Sequence, residues 1–284
     1  MRRFTFDRLN VIELSKPGEL AEKAALAVDQ ELAKAVKVRG DASAVFATGN
    51  TQVAVLDALV RVASLPSSVD WSKVRIFHLD ELLGIGIEHP ASFARFIKEK
   101  LVDRHAASSS QVFYMDGTAD PVEECSRYSN LLKACTLDVC IVGIGGNCHV
   151  AFNEPGSITD AEYAGLLEQD GTERAGLVKV VHLEEDTRLH QFQAGGFEDL
   201  DSVPRQAITL SMPAILGARR VIAVCSGARK ASVVQQMLEG EVSPLCPASL
   251  LRLHGNATLL LDGDTASLLP RNSRSIQRAG LSAG

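Results

Sequence analysis

Apolar and polar residues follow two different periods along the chain. Between residues 18 and 36, leucine, alanine and valine recur at helical spacing while charged residues fill the opposite face, which predicts a long amphipathic helix. Short apolar runs at 43–48, 74–79, 138–145 and 219–225 predict buried strands. Turn-forming residues follow each run, and we expect each run to open a unit of strand, turn and helix.

Strands that are apolar throughout and alternate with helices are typical of a parallel sheet covered on both faces. The predicted fold is therefore α/β: an open, mostly parallel sheet with helices on both faces, arranged as a Rossmann-like three-layer sandwich. No Pro-rich, Ser-rich or charged linker divides the chain, so we expect residues 1–284 to form a single domain. The irregular segment 158–176 is predicted to be an insertion.

The composition indicates a globular protein and argues against nucleic-acid and membrane partners. Apolar residues make up 46% of the chain and charged residues 23%, which is enough to bury a sizeable core. The net charge of −6 opposes non-specific attraction to nucleic acid or to an anionic membrane. The sequence has no signal-peptide pattern and no apolar stretch of about 18 residues that would span a membrane. We expect a cytoplasmic protein that binds a small molecule, without nucleic acid or membrane partners.

The six cysteines are scattered along the chain and include no C-x-x-C pair. Several of them fall inside the apolar strand patterns. Such usage is typical of reduced thiols in the cytoplasm and predicts neither a disulfide framework nor a zinc site. All six thiols are therefore expected to be reduced.

Polar residues gather where the predicted strands end. In open parallel sheets, ligands bind in the crevice beyond the carboxyl ends of the strands, because the loops and helix N-termini there share one edge. The four apolar runs are followed, in chain order, by 48–51, Asp80 with Glu81, 147–149 with Glu154, and 226–230. We expect these segments to form one site.

Gly49, Asn50 and Thr51 join the first strand to a helix and are candidates to bind a phosphate. Backbone amides at a helix start point toward an anion, and the helix dipole favours negative charge there. Asn and Thr also cap helices for structural reasons alone, which is the alternative for this turn. Lys230 lies near another predicted helix start, where a cation is unfavourable unless an anion shares the site; the alternative is a solvated lysine.

Asp80 is the candidate general base. It follows a buried strand, and desolvation at the rim of that strand raises the pKa of a carboxyl group and makes it a better base. The alternative is that Asp80 caps a helix. We expect Glu81 to be its exposed neighbour and His78 to be a packed or hydrogen-bonded histidine.

His149 and Glu154 lie close together in the loop after the third strand. A carboxylate beside an imidazole can orient it and stabilise its charged form, which is what a proton shuttle requires. The alternative is a core histidine bonded to a backbone carbonyl. This pair lacks further ligands for a metal, and the stretch 143–149 lacks the third glycine of a dinucleotide fingerprint. We expect neither a metal nor NAD.

The segments FHLDELLGI, IVGIGGNCHVAFNEPGS, VPRQAITLSMPAILGARRVIAV and GARKASVVQQMLEGEVSPLCPASLLRLH carry a family resemblance. They resemble the glucosamine-6-phosphate deaminase (isomerase) family from about residue 40 to residue 262, and the most specific motif is H-x-x-F-N-E-P at 149–155. The related 6-phosphogluconolactonases share the fold and the histidine, but a Ser-rich segment follows that histidine in place of AFNEP.

The resemblance implies an enzyme that opens the ring of an amino-sugar phosphate, moves a proton between C2 and C1, and releases ammonia to leave fructose 6-phosphate. It implies no metal and no organic cofactor. Asp80 would take the C2 proton, His149 would shuttle the proton of ring opening, and Glu154 would orient His149. Asn147 beside the histidine would act through hydrogen bonding. The residues that would hold the phosphate are Gly49, Asn50, Thr51 and Lys230.

The chain departs from the usual family pattern at several positions. Asn147 stands where many members have an aspartate, and an amide cannot accept a proton as a carboxylate does. Cys148 replaces a glycine, which suggests a different backbone conformation or tighter packing, and Leu82 replaces an aromatic residue. Gln191 and Gln193 occupy the region where the family offers an arginine to the phosphate, and neither can supply that charge.

Two other functions stay open. A sugar-phosphate lactonase needs no base at C2. A non-catalytic sugar-phosphate sensor would fit the residues at Asn147 and Gln193, although such sensors usually carry a DNA-binding helix pair and residues 1–40 predict one helix without a basic face. The sequence leaves open the gluco or galacto epimer and whether copies of the chain form a homo-oligomer. We expect no activation by acetylated amino-sugar phosphates, because the segment that supplies basic allosteric residues in the hexameric enzymes reads AGLVKVVHL here.

Overall fold

A computed structural model of the chain describes residues 1–104, 111–168 and 176–270. Residues 169–175 of the predicted insertion and the tail 271–284 lie outside the described residues. Within the described ranges the strands form two sheets. The strands are β1 (Arg2–Phe6), β2 (Leu9–Leu14), β3 (Ala42–Phe46), β4 (Val74–His78), β5 (Asp80–Leu82), β6 (Val139–Gly143), β7 (Val178–His182), β8 (Gln206–Leu210), β9 (Arg220–Cys225) and β10 (Ala257–Asp262).

Helices of very different length connect these strands. The longest, α1, extends the helix predicted over 18–36 by a few residues at its end, and α2 follows β3 as predicted. The helices are α1 (Pro17–Arg39), α2 (Asn50–Ala63), α3 (Phe93–Ile97), α4 (Pro121–Lys133), α5 (Asp160–Glu168), α6 (Glu185–Ala194), α7 (Met212–Leu216) and α8 (Ala231–Glu239). A π-helical turn (Lys98–Val102) and three 3₁₀ turns (Trp71–Lys73, Ala228–Lys230 and Pro247–Leu253) complete the described helical segments.

The larger sheet has the strand order β1-β2-β10-β9-β6-β3-β4. Every neighbouring pair in it is parallel except β1 with β2. β6 lies in the interior of the sheet, between β9 and β3, where its continuous apolar sequence is buried on both faces. This arrangement confirms the predicted open, mostly parallel sheet.

Alternate residues of each central strand enter two separate hydrophobic cores. On β3, Ala44 and Phe46 pack in the core that holds α1 and α2, whereas Val45 packs in the core that holds α4, α7 and α8. Side chains of a strand point alternately to its two faces, so the two cores lie on opposite sides of the sheet. The predicted three-layer sandwich is therefore confirmed.

The sequence prediction missed β10 within the parallel sheet and the strands outside it. β1 and β2 form an antiparallel hairpin at the edge of the larger sheet. The segment after β4 was expected to continue into a helix, and this expectation is wrong. Residues 80–82 form β5, which pairs antiparallel with β8 in a separate sheet of order β5-β8-β7. A strand of three residues has no measurable period and depends on its partner strand, so local sequence does not reveal it.

The expectation that all six cysteines are reduced is also wrong. Cys148 and Cys246 form a disulfide with a Cα–Cα distance of 5.0 Å, and both residues are buried. The two cysteines are 98 residues apart, and the fold brings them together where the loop after β6 meets the turn before Pro247–Leu253. The remaining cysteines are free thiols: Cys125, Cys135, Cys140 and Cys225.

The described part of the chain contains no helix that is long and apolar enough to cross a membrane.

The longest helix, α1, has a charged face and ends at Gly40. This glycine adopts the left-handed conformation at φ 88° and donates its backbone N–H to the carbonyl of Val36. This is a common way for a helix to satisfy its last carbonyls and stop.

The disulfide should contribute measurably to stability, because it closes a long loop in the unfolded chain. We expect the double variant Cys148→Ser/Cys246→Ser to lower the midpoint of thermal unfolding by roughly 5–10 °C. Replacing the free thiol by Cys135→Ser should leave the midpoint nearly unchanged and serves as the control. Thiol counting in denaturant should find the four free cysteines before reduction and all six after it. A count of six in unreduced protein would contradict the bond.

Candidate active site

The loops that follow β3, β6 and β9 lie side by side, because β6 pairs in parallel with both of the other strands. Two contacts at the end of β6 mark the meeting point. Lys230 Nζ donates to the carbonyl of Ile144 at 2.9 Å. Gln52 in the first turn of α2 reaches Gly143, where a Cβ would lie 3.4 Å from its Nε2. The segments that converge here carry the residues predicted to bind a phosphate: Gly49, Asn50, Thr51 and Lys230.

The start of α2 is open toward this edge. Gly49 is the N-cap residue at φ 101°, a conformation that favours glycine, and no side chain caps the helix. The side-chain caps considered for Asn50 and Thr51 are therefore not formed. The first turn contains no acidic residue, so the unpaired amides and the positive end of the helix dipole face no negative side chain of that turn.

Lys230 is held at the site. It ends the turn Ala228–Lys230 before α8, is partly buried, and keeps its ammonium near Gly146, where a Cβ would lie 4.0 Å from Nζ. Burial lowers the pKa of Lys230, and the nearby thiol of Cys225 partly opposes this shift. The alternative of a simply solvated lysine does not describe this side chain, because its ammonium is bonded to a strand-end carbonyl.

Asp80 begins β5 and is buried, with 6% of its surface exposed. Burial raises the pKa of its carboxyl group to about 8, and the charge of Glu81 adds to the shift. The alternative of a helix cap is wrong, since Asp80 lies in a strand. His78 fixes the backbone at this point: its Nδ1 bonds the carbonyl of Asp80 at 2.9 Å, and its Nε2 accepts from Met115 N at 2.9 Å.

His78 is thus the packed, hydrogen-bonded histidine that the sequence predicted. Burial lowers the pKa of His78 to about 4, so the imidazole is neutral near pH 7. Because Nε2 accepts a hydrogen bond from a backbone N–H, the ring proton lies on Nδ1. The ring therefore joins the end of β4 to the base without carrying charge.

Glu81 is buried, with 1% of its surface exposed, so the expectation of an exposed neighbour is wrong. Its carboxylate accepts hydrogen bonds from Leu82 N, Phe93 N and Ala94 N at 2.9–3.1 Å and from Ser92 Oγ at 2.7 Å. Burial raises the pKa of Glu81, and these hydrogen bonds oppose the shift. Glu81 ties β5 to the start of α3.

The loop after β6 presents His149 through a chain of side chains. His149 Nδ1 lies 2.6 Å from Asn147 Oδ1, and Asn147 Nδ2 donates to Glu154 Oε2 at 2.6 Å. The distance from His149 Nδ1 to Glu154 Oε2 is 3.7 Å, so Glu154 acts on the imidazole by charge and through the asparagine. Since Asn147 Oδ1 can only accept, Nδ1 carries a proton and Nε2 is left for the substrate.

Glu154 is buried, with 1% of its surface exposed. Burial would raise the pKa of its carboxyl group, but the charge of His149, together with Thr187 and the hydrogen bond from Asn147, outweighs burial and lowers the pKa. The carboxylate is therefore charged at neutral pH. The imidazole of His149 lies directly on Gly145, where any Cβ would overlap the ring.

Cys148 lies between Asn147 and His149 in the sequence. Its φ is 74°, in the left-handed region that favours glycine. The backbone therefore adopts a conformation that favours glycine, although Cys148 carries a side chain. The disulfide to Cys246 and the hydrogen bond from Ala248 N to the Cys148 carbonyl, at 2.9 Å, hold the residue in place.

Strand β8 brings the base and the histidine loop together. Asp80 pairs with Thr209 across β5 and β8, and Thr209 Oγ1 accepts from Phe152 N at 3.1 Å. The buried side chain of Asn153 donates to the carbonyl of Leu210 at 2.8 Å. The motif residues Phe152 and Asn153 therefore fasten the loop beside Asp80.

Helix α6 adds a side of the site that sequence reasoning missed. Thr187 is buried and helps to lower the pKa of Glu154. Burial lowers the pKa of His190, and the charges of Lys230 and His149 lower it further. The polar composition of α6 gave no hint of this placement. Arg188 turns away, since its guanidinium donates to the carbonyls of Leu200 and Val203 at 2.6–3.3 Å. Across the described ranges, no group of three His, Cys, Asp or Glu residues is arranged to hold a metal ion.

Comparisons with known proteins identify the family of the chain. The family of "Glucosamine-6-phosphate isomerases/6-phosphogluconolactonase" matches residues 15–162 and 182–260. Glucosamine-6-phosphate deaminase 1 of Bacillus subtilis is 32% identical over 264 residues, which cover 92% of this chain and 100% of the relative. The glucosamine-6-phosphate deaminase of Exiguobacterium sibiricum is 36% identical over 211 residues, which cover 74% of this chain and 77% of the relative.

Solved structures show the same fold. A monomeric glucosamine-6-phosphate deaminase superimposes with a TM-score of 0.78 at 31% identity, covering 91% of this chain and 99% of that one. A 6-phosphogluconolactonase from Trypanosoma brucei superimposes with a TM-score of 0.71 at 20% identity, covering 94% and 100%, and this likeness concerns the fold alone. The family match spans well over half of the residues, so the chain belongs to the family of glucosamine-6-phosphate isomerases and 6-phosphogluconolactonases.

Proposed function

We propose that the protein is a cofactor-independent, deaminating aldose–ketose isomerase. It converts glucosamine 6-phosphate, or a close amino-sugar phosphate, and water to fructose 6-phosphate and ammonia. The observation that carries this proposal is the buried carboxyl of Asp80, fastened beside the loop of His149. The preceding residue, Leu79, donates its N–H to the carbonyl of Phe46 at the end of β3, the strand that leads into the open start of α2. A base, a proton shuttle and an anion cradle are the groups that this reaction requires.

Ring opening is the first step of the proposed mechanism. A proton must leave the anomeric hydroxyl and a proton must reach the ring oxygen, so one group that can do both is sufficient. We assign both transfers to Nε2 of His149, because Nδ1 is committed to Asn147. The charge that forms on the imidazole is stabilised by the Glu154 carboxylate at 3.7 Å.

Isomerisation follows in the open chain. The hydrogen at C2 is acidic because C1 is now a carbonyl carbon, and Asp80 in its ionised form takes it as a proton. The electrons of the C2–H bond form the C1–C2 double bond, and the π bond of the C1 carbonyl breaks. Its electrons move to O1, which takes a proton from the substrate's ammonium group and gives an enediol-like enolamine. Return of the proton to C1 leaves an imine at C2, to which water adds before ammonia departs. Such a positioned base typically contributes about 10²- to 10⁴-fold in rate.

The phosphate of the substrate provides the anchor for these steps. We assign it to the amides of Gly49, Asn50 and Thr51 at the start of α2 and to the ammonium of Lys230. Backbone amides and a helix dipole bind a phosphate without conformational adjustment, which leaves the reacting carbons in a fixed position. A 6-phosphogluconolactonase-like hydrolase would use the same anchor and the same histidine but has no role for Asp80, and a non-catalytic sensor needs neither proton-transfer group.

Residues 1–284 are proposed to act as one catalytic domain in the cytoplasm. A sugar phosphate carries a dianion that does not cross membranes, so the enzyme works in the compartment that makes its substrate. Disulfides are rare there, but the bond between Cys148 and Cys246 is buried at both ends, so reductants reach it only when the loop opens. Whether a homo-oligomer forms does not change the assignment of the site.

Replacing the base by Asp80→Asn should reduce kcat for ammonia release by about 10²- to 10⁴-fold, while KM changes by only a few fold, because binding does not depend on the proton acceptor. Ammonia and fructose 6-phosphate are measured together after mixing with glucosamine 6-phosphate in the absence of added metal. The exposed substitution Glu22→Gln on α1 is the matched control. An Asp80→Asn variant with wild-type ammonia release would rule out this role, and hydrolysis of 6-phosphogluconolactone without ammonia release would favour the lactonase.

The raised pKa of Asp80 also predicts opposite effects of pH on activity and on stability. Since the base must be ionised, kcat/KM should rise by roughly tenfold per pH unit up to a pKa of about 8. Folded protein keeps this proton while unfolded chain loses it near pH 4, so the stability of the wild type falls relative to Asp80→Asn from about pH 4 to about pH 8.

Thermal melts at pH 4, 6 and 8 check the second effect. Asp80→Asn should be more stable than the wild type by an amount that grows with pH and reaches the order of a few kcal/mol. Glu22→Gln should show no such trend. A constant difference between the wild type and Asp80→Asn across this range would mean that the folded state does not hold the proton on Asp80.

A further inference from the structure

A cavity of about 320 Å³ lies on the larger sheet, at the edge opposite to the candidate active site. It is lined by residues of β1, β2, β9 and β10, among them Arg3, Asn10, Arg220 and Thr258. Arg220 is the first residue of β9 and Thr258 is the second residue of β10, whereas the candidate active site follows the carboxyl ends of the strands. The cavity is therefore separate from the space assigned to the substrate.

The polar side chains of this cavity share one face of the sheet. Ile12 of β2 packs against the core that holds α1 and α2, and Arg3 is its partner on β1. Asn10 lies two residues before Ile12 and pairs with Thr258 of β10. Because residues two apart in a strand, and residues directly opposite each other on paired strands, lie on the same face, these side chains project together.

The guanidinium of Arg220 is held in place by neutral groups. Its Nη1 donates to Oδ1 of Asn256, and its Nη2 donates to Oγ1 of Thr258 at 3.0 Å. Its Nε is buried and has no hydrogen-bond partner in the part of the chain that the structure describes. A guanidinium has five N–H donors, so these two bonds orient the group and leave donors for a ligand. Neutral acceptors also leave its positive charge uncompensated.

No carboxylate balances the charges at the cavity. No Asp or Glu is among its described lining residues. Within residues 1–104, 111–168 and 176–270, the exposed Arg3 donates only to Sδ of Met1, at 3.9 Å. Arg2, the preceding residue of β1, does pair with a carboxylate, that of Glu13 at 2.7 Å. Two unpaired guanidinium groups at one cavity, in a chain with a net charge of −6, indicate that an anion binds there.

We propose that this cavity is a second anion site, which binds the phosphate group of a small molecule between Arg3 and Arg220. Guanidinium groups bind phosphate through parallel pairs of charge-assisted hydrogen bonds. The hydroxyl of Thr258 accepts from Arg220, so its own hydrogen can be donated to a phosphate oxygen. A volume of about 320 Å³ is at the lower end of the range for small-molecule sites, which selects a ligand of metabolite size.

Inorganic phosphate is the probe for this site, and Lys230→Gln separates it from the substrate site. Calorimetric titration of the full chain with Lys230→Gln should still detect phosphate binding. Adding Arg220→Gln or Arg3→Gln should weaken this binding about 3- to 10-fold, because each removes a charge-assisted contact. Adding Arg61→Gln, which changes an exposed arginine in the last turn of α2, is the matched control and should leave the affinity unchanged.

Amide NMR titration locates the bound phosphate. In the Lys230→Gln protein, phosphate should shift the backbone amide signals of Asn10 and Thr258, and the shifts should saturate. Arg220 also orients Thr258, so the loss of these shifts in Arg220→Gln could arise from a change at the start of β10. Arg3→Gln removes the exposed partner instead, and it should reduce the affinity without lowering the midpoint of thermal unfolding.

Two results would overturn the second site. The first is the loss of all phosphate binding in Lys230→Gln. The second is an affinity in Arg3→Gln and Arg220→Gln that equals that of the Arg61→Gln control. The assay for ammonia release is independent of both: if the wild type releases no ammonia while phosphate binding depends on Arg3 and Arg220, the second site stands and the proposed function is wrong.

Discussion

Parallel pairing of β9, β6 and β3 is the constraint on which the site depends. Parallel strands end at the same edge, so residues far apart in sequence become neighbours once the register of β6 against both partners is fixed. Gly143 and Ile144 at the end of β6 are contacted by Gln52 from one side and by Lys230 from the other. A change that shifts β6 would displace the loop of His149 relative to Lys230 and the start of α2.

Asp80 and Glu81 are neighbouring carboxyl groups in β5 with different roles: Asp80 is the candidate base, and Glu81 is structural. Side chains of Asp80 and Glu81 point to opposite faces of the strand. Four donors surround the carboxylate of Glu81, whereas no residue of the described ranges donates to the carboxylate of Asp80. Glu81 is committed to the start of α3, and Asp80 keeps a proton that it can exchange. The difference in environment, and not in residue type, assigns the roles.

The sequence was sufficient to predict the elements that have a clear local pattern of apolar residues. Helix α1 and strands β3, β4, β6 and β9 follow from periodicity, and the edge of the sheet where the candidate residues meet follows from their order. Strand β5 and the burial of Glu81 could not be inferred, because the partners of Glu81 lie at Ser92–Ala94, beyond any local pattern. The disulfide likewise depends on tertiary contacts between distant segments.

The asparagine between His149 and Glu154 has a consequence for the direction of proton flow. A side-chain amide accepts a hydrogen bond at its oxygen and donates at its nitrogen, but it does not exchange protons with either neighbour near pH 7. The amide of Asn147 therefore insulates the imidazole from the carboxylate at 3.7 Å while it transmits orientation. A proton that reaches Nε2 of His149 cannot drain into the protein interior through this path. It leaves through Nε2, toward the bound sugar or the solvent, because Nδ1 is committed to the amide oxygen of Asn147.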